Sequence, residues 1–326
     1  MKSSKKRIAH FHLPGLFEFY ELYKIFLPLF YEHREYFYDW CDIGSIYGAP
    51  GDALWGGGRV GYGESASMEV LSLMKKFNIS ARLTFSNSLL REEHFVDREC
   101  NEICDLFRNS PSDDSDTKNI MIKDNRTIVS NETTAKNGII VYSDLLLRYI
   151  EENYPGFYFV STTTKVITDF KIFEKELNRE EFAYVVADFR LNKEFEKLGL
   201  LSDAERSKVE FLCNECCWFG CNDRKSCYES VSRNVLGEGE GYEHICHSMD
   251  ANEGYVFSKA MKSPGFIGID DIRDVYLPMG FSNFKIEGRS LGSAMILEFL
   301  LYYMTKLEYQ LQVREKIYLD NSLDLF

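Results

Sequence analysis

Apolar residues recur along this chain in two alternating rhythms. Short dense runs, each closed by a turn signal, alternate with longer stretches whose apolar positions fall three and four apart. IAHFHLPG is the first short run and predicts a strand. FEFYELYKIFLPLFYEHREYF has helical spacing, interrupted at Pro28. YDWCDIGSIYGA predicts a second strand, and a glycine-rich loop, PGDALWGGGRVGYGES, follows it. SMEVLSLMKKFN predicts a helix, ISARLTFSNS a strand, and VDRECNEICDLFRN a helix with Cys100 and Cys104 on one face. Residues 110–137 are polar and turn-rich and predict an excursion from the main body.

The alternation then resumes. GIIVYS, FYFVSTTT, YVVADFR, SKVEFLCN and FSNFKIEGR predict strands. DLLLRYIEENYP, EKELNREE, KEFEKLGLL and SLGSAMILEFLLYYM predict helices between and after them. Strand and helix thus alternate about eight times, which calls for a parallel sheet with right-handed crossovers. Eight repeats favour a closed, TIM-like (β/α)8 barrel of class α/β, irregular or incomplete in places, as one domain over residues 1–326. FKIEGR is expected in a late strand beside IAHFHLP. Chemistry in such a barrel sits at the strand C-termini. The candidates there are His10, His12, the glycine loop, Asn87, Thr162 to Thr164, Asp188, Arg190, Asn214, Glu287 and Arg289. Arg59, Asp188, Arg190, Glu287 and Arg289 are expected to face one cavity, with Glu287 as the acid–base residue.

Composition narrows the class. The chain has 326 residues, 45% of them hydrophobic, and a net charge of −13, which disfavours generic nucleic-acid binding. The basic start KSSKKR has no apolar run long enough for a signal peptide, and FLLYYM is too short to span a bilayer. The expectation is a reducing cytoplasm and no membrane, where clustered cysteines serve metal or redox chemistry more often than disulfides.

Six of the nine cysteines, Cys213, Cys216, Cys217, Cys221, Cys227 and Cys246, fall within 34 residues. They mark 213–250 as a cysteine-rich insertion at the barrel mouth. Cys217 and Cys221 are a plausible ligand pair for zinc or an iron–sulfur centre, with the others available to complete it. The spacing is neither a zinc ribbon nor the ferredoxin run, and inert buried thiols are the plain alternative. His244 and His247 flank Cys246 and read as surface histidines. In the glycine loop, GGGRVG places Arg59 where backbone amides and a guanidinium could face an anion. In NFKIEGR, Lys285, Glu287 and Arg289 share one face of a strand. Such charges are costly in a barrel unless used or paired in an internal bracing cluster.

FSNFKIEGRSLGSAMILEFLLYYM and VEFLCNECCWFGCNDRKSCYES together resemble the collagenase-like peptidase family, peptidase family U32, in its iron–sulfur branch. The second segment carries the N-x-x-C-x3-C-x2-R pattern as Asn214, Cys217, Cys221 and Arg224. The resemblance implies a TIM-like barrel. In several members it implies a [4Fe–4S] cluster and oxygen-independent hydroxylation of RNA bases or a quinone precursor. It assigns cluster ligation to Cys217, Cys221 and Cys246, with Cys213, Cys216 or Cys227 as the fourth ligand. The peptidase label finds little in the residues, which show neither H-E-x-x-H nor G-x-S-x-G. The expectation is therefore an iron–sulfur-dependent hydroxylase or modification enzyme. Its substrate would be a small molecule, RNA or peptide, and its partner a protein electron donor. The alternatives are a peptidase-type hydrolase with a structural zinc and a non-catalytic interaction protein.

Overall fold

In the computed structural model, residues 7–57, 66–108, 120–123, 126–129, 135–248, 254–288 and 290–318 are described. Among the described residues ten strands form: β1 Ala9–Pro14, β2 Cys41–Gly48, β3 Ser80–Phe85, β4 Ile120–Lys123, β5 Arg126–Val129, β6 Gly138–Val141, β7 Tyr158–Ser161, β8 Phe182–Ala187, β9 Val209–Leu212 and β10 Asn283–Lys285. Eight of them close a parallel barrel in the order β1-β10-β9-β8-β7-β6-β3-β2. β10 pairs with β1 in the register His10 to Asn283, Phe11 to Phe284 and His12 to Lys285, so FKIEGR does adjoin IAHFHLP. The polar excursion holds an antiparallel hairpin, β4 with β5, paired with itself and not with the barrel.

Barrel strands are covered on both faces, which is why they read as continuous apolar runs. Alternate residues separate two environments. Phe11, Leu13, Leu83, Phe85, Ile139, Phe159, Val185, Phe211, Phe284 and Ile286 point outward into the main core under the helices. Tyr47, Ile140, Val160, Val186 and Leu212 point inward and form a separate apolar layer inside the barrel, with Tyr158 and Tyr184 packed against it.

The helices include α1 Tyr20–Glu32, α2 Ser67–Lys76, α3 Arg98–Phe107, α4 Asp144–Asn153, α5 Phe170–Leu177, α6 Phe195–Leu198, α7 Asp203–Lys208 and α8 Arg224–Val235, with late helices over Ser293–Met304 and Gln310–Tyr318. Pro28 does not interrupt α1 as its residue type predicts. The buried stripe of Leu22, Tyr23, Phe26, Leu27 and Phe30 holds the helix together through the lost hydrogen bond. Cys100 and Cys104 lie on α3 and are buried. The start of the glycine loop is docked on the end of β3, where the Asn87 amide donates to Trp55 O (3.1 Å). A Cβ on Gly57 would stand 2.3 Å from the Asn87 backbone, so only glycine permits this approach.

Candidate active site at the barrel mouth

His10 and His12, expected past the first strand, lie within β1. Inward alternation puts the His12 ring inside the barrel, where its Nδ1 contacts Ser45 Oγ (2.8 Å). The same interior receives Arg82 from β3, Glu210 from β9 and Lys285 from β10, all buried. Arg82 Nη1 donates to Glu210 Oε2 (2.5 Å), and Lys285 Nζ donates to Glu210 Oε1 (3.4 Å). Arg82 Nε also donates to Tyr158 Oη (2.7 Å), and its guanidinium lies over the Tyr184 ring. Lys285 Nζ stands 3.4 Å from the centre of the Tyr47 ring. Burial works against the Glu210 carboxylate, but Arg82 and the other neighbours hold its pKa down at about 2. Burial first, and then the charge of Arg82, push His12 well below its ordinary value, so its ring is neutral. The bracing cluster expected around Lys285 therefore exists, but its acid is Glu210 and not Glu287.

A second ion cluster occupies the C-terminal mouth. Asp188 follows β8, and its carboxylate accepts from Arg190 Nε (2.7 Å) and Nη2 (2.9 Å). Arg224, the first residue of α8, donates from Nη1 to Asp188 Oδ2 (2.8 Å). From Nη2 it donates to Glu215 Oε2 and to Tyr228 Oη (3.1 Å). Asp188, Glu215 and Arg224 are all buried. Burial alone would raise the Asp188 carboxyl, but the Arg190 hydrogen bonds and the Arg224 charge reverse this and hold it below the usual range. The buried stripe of α8 is polar, with Arg224, Tyr228 and Ser232 at successive i, i+4 positions. Ser232 accepts from the Ser88 amide (3.1 Å), and its carbonyl accepts from Asn87 Nδ2 (3.2 Å). The helix thus lies over the mouth on polar contacts.

The cysteines separate by the same alternation. Cys213 follows β9 in its outward phase, with its thiol in the main core and its Sγ directed at the Phe211 carbonyl (3.6 Å). Burial raises its pKa well above the ordinary value. It is thereby set apart from the thiols of the mouth. Cys217 and Cys221 come together: the Cys221 thiol is within hydrogen-bond reach of Cys217, whose pKa burial pushes up to about 12. Cys217 and Cys221 are half-buried, while Cys216 and Cys246 are exposed. Among the described residues, no three His, Cys, Asp or Glu side chains are grouped so as to hold a metal ion.

Glu287 lies beyond the end of β10, half-buried. Its amide donates to Asn214 Oδ1 (2.7 Å), and its carbonyl accepts from Asn214 Nδ2 (3.0 Å). Tyr255 Oη donates to the Asn214 carbonyl (3.2 Å), and its raised pKa, due first to burial, reflects Cys216, Glu287 and Glu215 close by. Glu287 and the cysteine segment therefore share one edge of the mouth. Arg59 and Arg289 lie outside the described residues. At the ends of β3 and β7, Thr84 Oγ1, Ser86 Oγ and Thr163 Oγ1 are buried with no hydrogen-bond partner among the described residues.

Four participants do not stand out in the sequence as site residues. Arg82 and Glu210 are legible there only as single charges at inward positions of the apolar runs SARLTF and VEFL. Glu215 carries no signal beyond standing next to Asn214. Arg224 enters only as a motif position, although the polar stripe of its helix marks a face that does not meet an apolar core.

No protein-family model matches the chain, and no curated protein sequence matches it. Among solved structures, that of a U32 peptidase is similar over 88% of this chain and 95% of that one, with a TM-score of 0.46 and 10% identity. This is a distant likeness, and at that level it carries no argument about the reaction.

Proposed function

We propose that this chain is a barrel enzyme with its reaction centre at the C-terminal mouth, between α8 and the ends of β3, β7, β8 and β9. We propose further that Cys217 and Cys221 are two thiolate ligands of a [4Fe–4S] cluster beside that centre. The supporting observation is the meeting there of a fully buried guanidinium, two carboxylates and two thiols in mutual contact. Buried charges of this kind are costly to a fold and are typical of sites of chemistry. The unpartnered hydroxyls of Thr84, Ser86 and Thr163 add polar groups for a substrate or water. Asp188, held ionised by two guanidinium groups, fixes charge and does not exchange protons near neutrality. Glu287 is the acid–base residue in this reading.

The donor set fits a cluster only in part. Two sulfurs are adjacent, and Cys213 is turned away from them into the core. The remaining ligands would be Cys246 with Cys216 or Cys227, and the coil carrying Cys246 must close over the pair to supply them. As folded, the four do not form a cage. A centre of this type belongs in a reducing compartment such as the cytoplasm. It suits electron transfer in the modification of a small molecule, RNA or peptide, with a protein electron donor. Anaerobic purification followed by iron, sulfide and zinc analysis tests the proposal. Iron with sulfide is expected in the wild type and in Cys213→Ala, and loss of both in Cys217→Ser and Cys221→Ser. Zinc without sulfide would favour the hydrolase alternative, and wild-type iron in both serine variants would end the cluster reading.

A further inference from the structure

The segment between the paired cysteines is built to reverse direction. The Cys221 amide donates to Trp218 O (3.0 Å), closing a turn that returns Cys221 to Cys217. Gly220 lies under the Trp218 ring, where a Cβ would stand 2.7 Å from it, so a larger residue there would push the exposed ring aside. Phe219 packs edge-on against Phe189 and anchors the loop to the residue after Asp188. Both thiols are half-buried, and Trp218 between them is 59% exposed, so a small reagent can reach the pair.

The backbones of both cysteines are tied to the ion cluster of the mouth. The Cys217 amide donates to Glu215 Oε1 (3.0 Å), and the same carboxylate receives Arg224. The Cys221 carbonyl accepts from Arg190 Nη1 (2.7 Å), whose other nitrogens hold Asp188. A change of geometry at the sulfurs therefore reaches Glu215 through one hydrogen bond and Asp188 through two, by way of Arg190.

We infer that Cys217 and Cys221 form a reversible dithiol–disulfide pair whose oxidation state is transmitted to the Asp188–Arg224–Glu215 cluster. The oxidant is a small disulfide of the glutathione class. Cys221 attacks it as the thiolate, since burial disfavours the thiolate of Cys217, and the attack forms a mixed disulfide and releases one small thiol. The other sulfur then displaces the second small thiol. The two cysteines give up two electrons and two protons, and the small disulfide becomes two thiols. A disulfide bond of about 2.05 Å replaces a non-bonded contact, so the loop must shift, and its ties to Arg190 and Glu215 shift with it. This goes beyond the cluster reading and does not depend on it, because two adjacent sulfurs suffice. A bound cluster would block the bridge.

The experiment uses the full chain, stripped of metal by chelation and equilibrated in glutathione buffers from fully reduced to fully oxidised. Trapped thiols are alkylated and mapped. The expected result is loss of two alkylatable thiols at Cys217 and Cys221, reversed by dithiothreitol. It should be abolished in Cys217→Ser and Cys221→Ser and retained in Cys216→Ser and Cys246→Ser. Trp218 emission should change on oxidation, a change absent from Trp218→Phe. Hydrogen exchange over 213–228 should rise as the ties loosen. A pair that stays reduced in fully oxidised buffer, or a bridge that forms mainly through Cys216, Cys227 or Cys246, overturns the pair. Unchanged exchange with the bridge formed overturns the transmission. Bridge formation in a protein that binds no iron would end the cluster reading and leave this one standing. Iron binding by a chain whose stripped pair never oxidises would do the reverse.

Discussion

Replacing Glu210 by Gln removes a carboxylate that faces two buried cations, Arg82 at 2.5 Å and Lys285 at 3.4 Å. Neutral His12 offers no compensating charge. Two routes give the size of the loss. A carboxyl held at about 2 instead of its ordinary 4.5 is worth about 3 kcal/mol to the folded state. Breaking a buried ion pair by removing one partner costs about 3–5 kcal/mol, because the other charge stays buried and unpaired. The same shift fixes the sign with pH. The folded-state pKa is depressed, so the contribution is complete above the unfolded value and is lost as pH falls from about 4.5 towards 2. Urea unfolding at neutral pH should show Glu210→Gln less stable by about 3 kcal/mol or more. The variant should also lack part of the wild-type acid slope between those pH values. Adding Arg82→Met to it should recover some stability, because one fewer cation is stranded. A loss under about 1 kcal/mol with the acid slope intact would refute the bracing argument.

Arg224→Met should leave the Asp188 and Glu215 carboxylates buried without their shared cation, lowering stability by about 3 kcal/mol in the same urea assay. Arg224→Lys should recover only part of this, since an ammonium cannot reproduce the fork that spans the two acids. Glu287→Gln should leave the melting temperature and metal content of the wild type unchanged and remove activity. Unfolding of that variant would make Glu287 structural. Alkylation of the native chain should label exposed Cys216 and Cys246 first and leave buried Cys41, Cys100, Cys104 and Cys213 unmodified, as read by peptide mass mapping.

The barrel is legible in the sequence because parallel strands buried on both faces carry unmistakable apolar runs, and crossover helices separate them at regular intervals. The adjacency of β1 and β10 comes from closure alone. Less legible is where each strand ends. FSNFKIEGR reads as one strand, yet pairing stops at Lys285 and Glu287 stands past it, because Asn214 takes over the backbone hydrogen bonds of Glu287. The cysteine segment reads as loop, and its helix α8 is hidden because its buried stripe is polar. Cys213 counts as a ligand candidate by nearness in sequence, although inward–outward alternation from Glu210 already directs it to the other side of the wall.

Lys285 and Glu287 show how far that alternation reaches. They are two residues apart and in the same inward phase, so a sequence motif treats them as one unit. The strand carries them to different depths. Lys285 is buried against Tyr47 and Glu210 within the barrel. Glu287 emerges at the rim beside Asn214 and Tyr255. Substitution of Lys285 acts on the charge balance of the closed core and should appear first as a change in folding stability. Substitution of the Glu287 side chain leaves untouched the backbone bonds that hold its position, so its effect should appear in the chemistry of the mouth. The motif thus joins a residue of the closed core to the proposed acid–base residue, and only their separate measurement distinguishes a lost fold from a lost function.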